Sequence, residues 1–109
     1  MRLSDQTCKP PRAGDAPLSF AQAEASRRDV PDWSPEGATI SREFRFNDFR
    51  EAMAFVNRVA EVAERQGHHP DIFISYKTVR LTLSTHKIGG LSRNDFIVAA
   101  RINQLPASR

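Results

Sequence analysis

Residues 79–86 read V-R-L-T-L-S-T-H, an alternation that sets Val79, Leu81 and Leu83 on one face of an extended strand and Arg80, Thr82, Ser84 and His86 on the other. Such a strand is half buried, with one face against a hydrophobic layer and the other toward solvent. The run just upstream, I-F-I-S-Y at 72–76, is rich in β-branched and aromatic residues, which favour a pleated surface. Two antiparallel strands turning at Lys77–Thr78 account for both runs. One long bent strand is the alternative, because the turn lacks the usual Asn-Gly or Asp-Gly pair.

Upstream of the strands lies the longest helical pattern in the chain. Asp48 followed by Glu51 has the spacing of a capping box, and the pattern runs to a stop at Gly67. Phe49, Met53, Val56, Ala60 and Ala63 recur at spacings of three and four, and Phe55, Val59 and Val62 widen the apolar stripe. About 18 residues at 1.5 Å each give roughly 27 Å, enough to cross a sheet. Before it, I-S-R-E-F-R-F (40–46) puts Ile40, Phe44 and Phe46 on one side of a strand. Arg42 interrupts that side, which is either open near its start or covered by the arginine's stem.

The outer elements follow the same logic. Ser19 with Gln22 three residues on forms a capping box for a helix running to about Arg28, with Leu18 packing back on its first turns and Pro31 beyond its end. Trp33, Pro35 and Gly37 suggest a short strand and a turn. After Gly89–Gly90, Ser92 caps a last helix with Asp95 at its third position and Leu91 and Phe96 as a hydrophobic staple; it continues to about Gln104, before Pro106. The order α-β-β-α-β-β-α predicts an α+β fold, a four-stranded antiparallel sheet with three helices on one face. Residues 1–17, with Pro10, Pro11 and Pro17 and no periodicity, read as a flexible or loosely draped leader. Residues 18–105 read as a single domain and 106–109 as a tail.

A chain of 109 residues supports one core. Its 39% hydrophobic and 27% charged content is that of an ordinary globular protein. No run is long enough to cross a bilayer, and Met1 to Gly14 lacks the apolar centre of a signal peptide, so the expected address is cytoplasmic. Cys8 is the only cysteine, which excludes an intrachain disulfide and a cysteine-rich metal site. The net charge of +3 is dispersed along the chain, giving little support for a nucleic-acid groove. Ile72 and Ile74 on one face of the third strand and Phe73 on the other leave apolar groups on both sides. A second copy of the chain is the expected cover, so a homo-oligomer is expected.

The three histidines, His68, His69 and His86, fall within 19 residues, accompanied by Glu64, Pro70 and Asp95. Histidine is the side chain whose ordinary charge change lies nearest neutral pH. Pro70 biases His69 toward an extended backbone, holding two adjacent imidazoles on a stiff stretch. If the strands at 72 and 86 are antiparallel neighbours, the start of one lies beside the end of the other, and all three imidazoles reach one sheet edge. Glu64, four residues before His68, is placed to hold that ring. Each residue also has a local explanation: Asp95 suits the third position of a capped helix, and Glu64 suits a solvated helix face. Convergence of all of them favours proton-transfer chemistry. Shared metal ligation by adjacent His68 and His69 is awkward, and no H-E-x-x-H pattern is present.

Glu64-x-x-x-His68-His69-Pro70, then Tyr76, His86 and Asp95 at intervals of five, nine and eight intervening residues, resembles the signature of the pterin-4a-carbinolamine dehydratases, also known as dimerisation cofactors of a homeodomain transcription factor. The likeness runs from about Leu18 to Leu105 and includes F-R-F-N-D-F-R-E-A-M-A-F, L-S-T-H and G-G-L-S-R-N-D. The resemblance implies dehydration of a 4a-hydroxytetrahydropterin to the quinonoid dihydropterin, with no metal or organic cofactor, by a dimer or tetramer acting downstream of a pterin-dependent hydroxylase. It implies that His68 protonates the departing hydroxyl with Glu64 orienting it, and that His86 assists proton movement at N5. His69 would bind the pterin and help stabilise the transition state, Pro70 would shape the pocket, Ser84 and Thr85 would offer hydrogen bonds to the ring, and Asp95 would support the site from behind. Many relatives carry tryptophan at the position of Ile72 and asparagine at that of Ile74. The alternative is a non-catalytic binding or dimerisation partner of a regulatory protein.

Overall fold

The computed structural model describes residues 2–12 and 14–106; residues 107–109 of the expected tail lie outside that set. Helix α1 (Phe20–Arg27) is followed by strands β1 (Ser34–Glu36) and β2 (Thr39–Arg45), helix α2 (Phe49–Gln66), strands β3 (Asp71–Ser75) and β4 (Thr78–Leu83), and helix α3 (Arg93–Asn103). Short 3-10 turns occur at Leu3–Asp5 and His86–Ile88. The strands form one antiparallel sheet in the order β1-β2-β4-β3, so the α+β fold and its element order are as predicted. No helix among the described residues is long and apolar enough to cross a membrane.

The alternation holds from Val79 to Leu83, where β4 ends, and does not extend to His86. Val79, Leu81 and Leu83 are fully buried, as are Ile40 and Phe44 on the neighbouring strand. Phe55 of α2 packs on Phe44 and Phe46 with ring centroids 4.7 and 5.1 Å apart, and burying each ring contributes on the order of 2–3 kcal/mol. Arg42, on the buried side of β2, spreads its guanidinium over the Phe44 ring at 4.4 Å and donates to Asn103 Oδ1 at the end of α3. The stem therefore covers the gap, and the charged head is engaged by the Asn103 side-chain oxygen and by Asp32, 3.8 Å away.

Three local expectations are corrected. The hairpin turns at Tyr76–Lys77, one residue early, with Ser75 paired to Thr78 and Tyr76 at φ 51 in place of a glycine. The face of α2 that meets the sheet is Ala52, Phe55, Val59 and Ala63, whereas Phe49 is half exposed and Ala60 is exposed. A stripe chosen by spacing alone has two registers here, and the one centred on Phe55 fits a large ring between strands. At the start of α2, Asp48 accepts from the Glu51 amide, but the Glu51 carboxylate turns to the amide of Asn47, so the box is not reciprocal. The capping boxes of α1 and α3 are complete.

Candidate active site

The site is built where the C-terminus of α2, the entry to β3, the exit from β4 and the N-terminus of α3 meet. Gly67 ends α2 in the left-handed conformation, φ 65, and its amide closes on Ala63. The chain then turns sharply into His68-His69-Pro70. Asp71 pairs with Thr82, so the residues just before β3 enter beside those just after β4.

His68 is buried, 9% exposed, and its Nε2 lies 2.6 Å from Asp95 Oδ1. Asp95 is completely buried, and both its oxygens are engaged: besides the contact of Oδ1 with His68, Oδ2 accepts from the Thr85 hydroxyl at 2.8 Å and from the Ser92 amide at 2.9 Å. An ionised carboxylate only accepts, so the Nε2 that faces it carries a proton. The other ring nitrogen, Nδ1, has no hydrogen-bond partner among the described residues. Glu64, expected to orient His68, instead meets His69, with Oε2 2.5 Å from Nε2. That pair is largely exposed and contributes little to stability. The pairing is exchanged because Gly67 breaks the helix: the four-residue spacing of Glu64 and His68 makes neighbours only on a continuous helix.

His86 does not sit on a strand. Thr85 forms an isolated bridge with Gly90 that closes the chain into a tight loop, and His86 starts the 3-10 turn inside it. Its imidazole is exposed and has no hydrogen bond among the described residues. It remains linked to the buried pair, because the Thr85 hydroxyl bonds to Asp95, which bonds to His68. Thr85 itself is committed: it is 2% exposed, its hydroxyl contacts both Asp95 and Ser92, and its amide donates to Gly90. Ser84 is half buried, with no side-chain hydrogen bond among the described residues, and Pro70 is half buried.

No group of three or more His, Cys, Asp or Glu side chains with the geometry of a metal centre occurs among the described residues. Hollows of about 430 and 440 Å³ lie elsewhere, one over Asp32, Ser41, Arg42 and Arg80 on the sheet, the other beside Lys9, Leu18, Ile88 and Arg93. Neither is walled by an imidazole, so the site is defined by its hydrogen-bonded residues. Sequence reasoning missed Asn94 and Gln66, which flank it. The only available signal was a second short polar residue in the first turn of α3, and that spacing has no periodic signature.

The model for the family described as pterin 4 alpha carbinolamine dehydratase matches residues 16–105. The chain belongs to that family. By that membership it is an enzyme, a dehydratase of the lyase class, and a pterin is its substrate. A protein of Halorhodospira halophila named for this activity is 47% identical over 109 residues, covering 98% of this chain and 100% of its own. One from Rubrobacter xylanophilus is 42% identical over 94% of this chain and 97% of its own. A crystal structure of a transcriptional coactivator/pterin dehydratase from Brucella melitensis superposes with a TM-score of 0.76 at 31% identity, covering 80% of this chain and 95% of that one. A pterin dehydratase-like protein described as a RuBisCO assembly factor of the α-carboxysome shares the fold at a TM-score of 0.56, with 24% identity over 71% of this chain and 89% of that one.

Proposed function

We propose that this protein dehydrates 4a-hydroxytetrahydrobiopterin, or a close 4a-hydroxytetrahydropterin, to the quinonoid dihydropterin and water by histidine acid–base catalysis, and that residues 18–105 carry the activity. The observation that carries the reading is the buried Asp95–His68 pair, in which one imidazole nitrogen is held by a carboxylate and the other has no partner among the described residues. In its charged form His68 is paired with a carboxylate and offers a proton at Nδ1. Transfer of that proton to the 4a-hydroxyl lets the C4a–O bond break and water leave. The ring that remains is neutral, still with Nε2–H on Asp95, so the hydrogen bond holds throughout the step.

Loss of the N5 proton completes the product, and the exposed imidazole of His86 is the acceptor. No external oxidant or reductant enters the balance, and no metal or organic cofactor is needed. His69, steadied by Glu64, and Pro70 form the wall against which the pterin binds, with His86 and the free Ser84 hydroxyl as polar contacts. Thr85 lines this region but acts by holding Asp95. The protein works in the cytoplasm as a homodimer or homotetramer and recycles the product of a pterin-dependent hydroxylase.

The test is to follow the ultraviolet decay of freshly made 4a-hydroxytetrahydropterin with and without protein. The parent protein accelerates the decay, and His68→Ala lowers the enzymatic rate by about 10²–10⁴-fold, the usual contribution of a positioned acid. Equal decay with and without the parent protein overturns the proposal.

A further inference from the structure

The N-terminal segment takes no part in the chemistry, yet it is fastened to both elements that present the Asp95–His68 pair. Leu3, 5% exposed, is part of the core. From there the chain runs antiparallel to α3. Gln104 Nε2 donates to Ser4 Oγ, and the Arg101 guanidinium donates twice to the Gln6 carbonyl, from Nε at 3.0 Å and Nη2 at 2.5 Å. The Asn94 amide then clamps Lys9, accepting from its N–H at 3.0 Å and donating to its carbonyl at 2.7 Å. The lengths agree beyond the 3-10 turn: three extended residues from Gln6 to Lys9 reach about 10 Å, and seven helical residues from Arg101 to Asn94 rise about 10 Å.

One residue of this segment touches both helices. The Cys8 amide donates to Gln66 Oε1 at the last residue of α2, 2.9 Å away, and its thiol faces the Asn94 carbonyl at 3.7 Å. Gln66 is two residues before His68, and Asn94 is adjacent to Asp95. Burial, with a smaller contribution from Asp95 against the opposing charge of Arg101, pushes the Cys8 thiol up to about 11. The sulfur therefore keeps its proton at neutral pH and is a donor rather than a nucleophile.

We propose that residues 3–9 act as a strap that fixes the C-terminus of α2 against the N-terminus of α3 and so sets the Asp95–His68 contact, making Gln66 and Asn94 positioning residues for the dehydration. The inference rests on His68 as the acid. The Asp95–His68 hydrogen bond crosses between two helix ends, and misplacement of a catalytic group by about 1 Å can cost about 10²-fold in rate. The strap holds both helix ends at once, through Gln66 on α2 and Asn94 on α3.

The experiment uses the full chain with Gln66→Leu, Gln66→Glu and Asn94→Ala. Leucine keeps the bulk but removes the acceptor for the Cys8 amide, and glutamate restores it. Two readouts are taken well below the melting transition: the hydrogen-bonded imidazole N–H resonance of His68, assigned by its loss in His68→Ala, and turnover of 4a-hydroxytetrahydropterin. The resonance shifts or broadens in Gln66→Leu and Asn94→Ala, kcat falls about tenfold or more with KM little changed, and Gln66→Glu recovers both. A lower melting temperature with an unmoved His68 resonance and unchanged kcat overturns the strap. Should Asn94→Ala not fold, the Gln66 pair decides. If the parent protein itself does not turn over the pterin, the functional reading fails, and the strap stands or falls on the His68 resonance alone.

Discussion

Asp95 accepts from three donors through two oxygens, and with both oxygens engaged in a fully buried position it tolerates replacement poorly. An asparagine offers one accepting oxygen and turns an N–H toward a donor on its other side. A mismatched buried polar contact of this kind costs about 1–3 kcal/mol. Asp95→Asn is accordingly expected to lower the thermal midpoint by roughly 4–8 °C for each kcal/mol lost and to slow turnover by about 10²-fold or more. Calorimetry and the pterin decay assay measure the two effects, and a variant with full turnover would show that His68 does not need its carboxylate. His68 and Asp95 were both visible in the sequence, one through H-H-P and the other through its capped helix. Their contact was not. The spacing from Glu64 to His68 suggests a helical pair, and only the left-handed Gly67 sends His68 to α3 and brings His69 to Glu64.

Among the elements, the loop from Thr85 to Gly90 carries His86 and depends on a close approach to the N-terminal segment. Thr85 and Gly90 bridge its base, Leu18 donates its amide to Leu91, and Pro17 packs directly on Gly90. A Cβ added at Gly90 would lie 2.8 Å from Pro17 Cβ, and a proline ring has little room to bend away. Gly90→Ala is expected to destabilise the fold by about 1–3 kcal/mol, the usual cost of overpacking, and to speed hydrogen exchange at the Leu18 amide. Adding Pro17→Gly should restore both, a coupling that separates this contact from a general loss of stability. Unchanged exchange at Leu18 in Gly90→Ala would remove the argument. Elements defined by a cap and a period were legible to within a residue or two: Ser19 and Ser92 start their helices, and the alternation from Val79 to Leu83 faces the core. The contacts made by residues 3–9 were not legible, because a short, mostly polar segment has no apolar period and its partners lie about 60 to 100 positions away.

At the scale of the whole molecule, the two edges of the sheet are treated differently. β1 is three residues long, contains Pro35 and ends at Glu36, which Arg80 and Ser41 engage. A short, charged, proline-bearing edge resists pairing. β3 is the opposite edge and exposes Ile72 at 39% and Phe73 at 62%, with Tyr76 at 65% in the turn that follows. Its unpaired backbone and apolar groups form a template that a second copy of the chain can extend, which makes β3 the expected seat of the homo-oligomer. Phe73→Lys places a charge at the centre of that edge without entering the core, since Phe73 stands opposite Arg80 on the solvent side of the sheet. Sedimentation velocity is expected to show the parent protein as an oligomer and the variant displaced toward monomer. Because His68, Asp95 and Thr85 all belong to one chain, the separated protomer should retain turnover. A parent that sediments as a monomer would refute the pairing, whereas a monomeric variant that folds but has lost turnover would place part of the active site on the partner subunit.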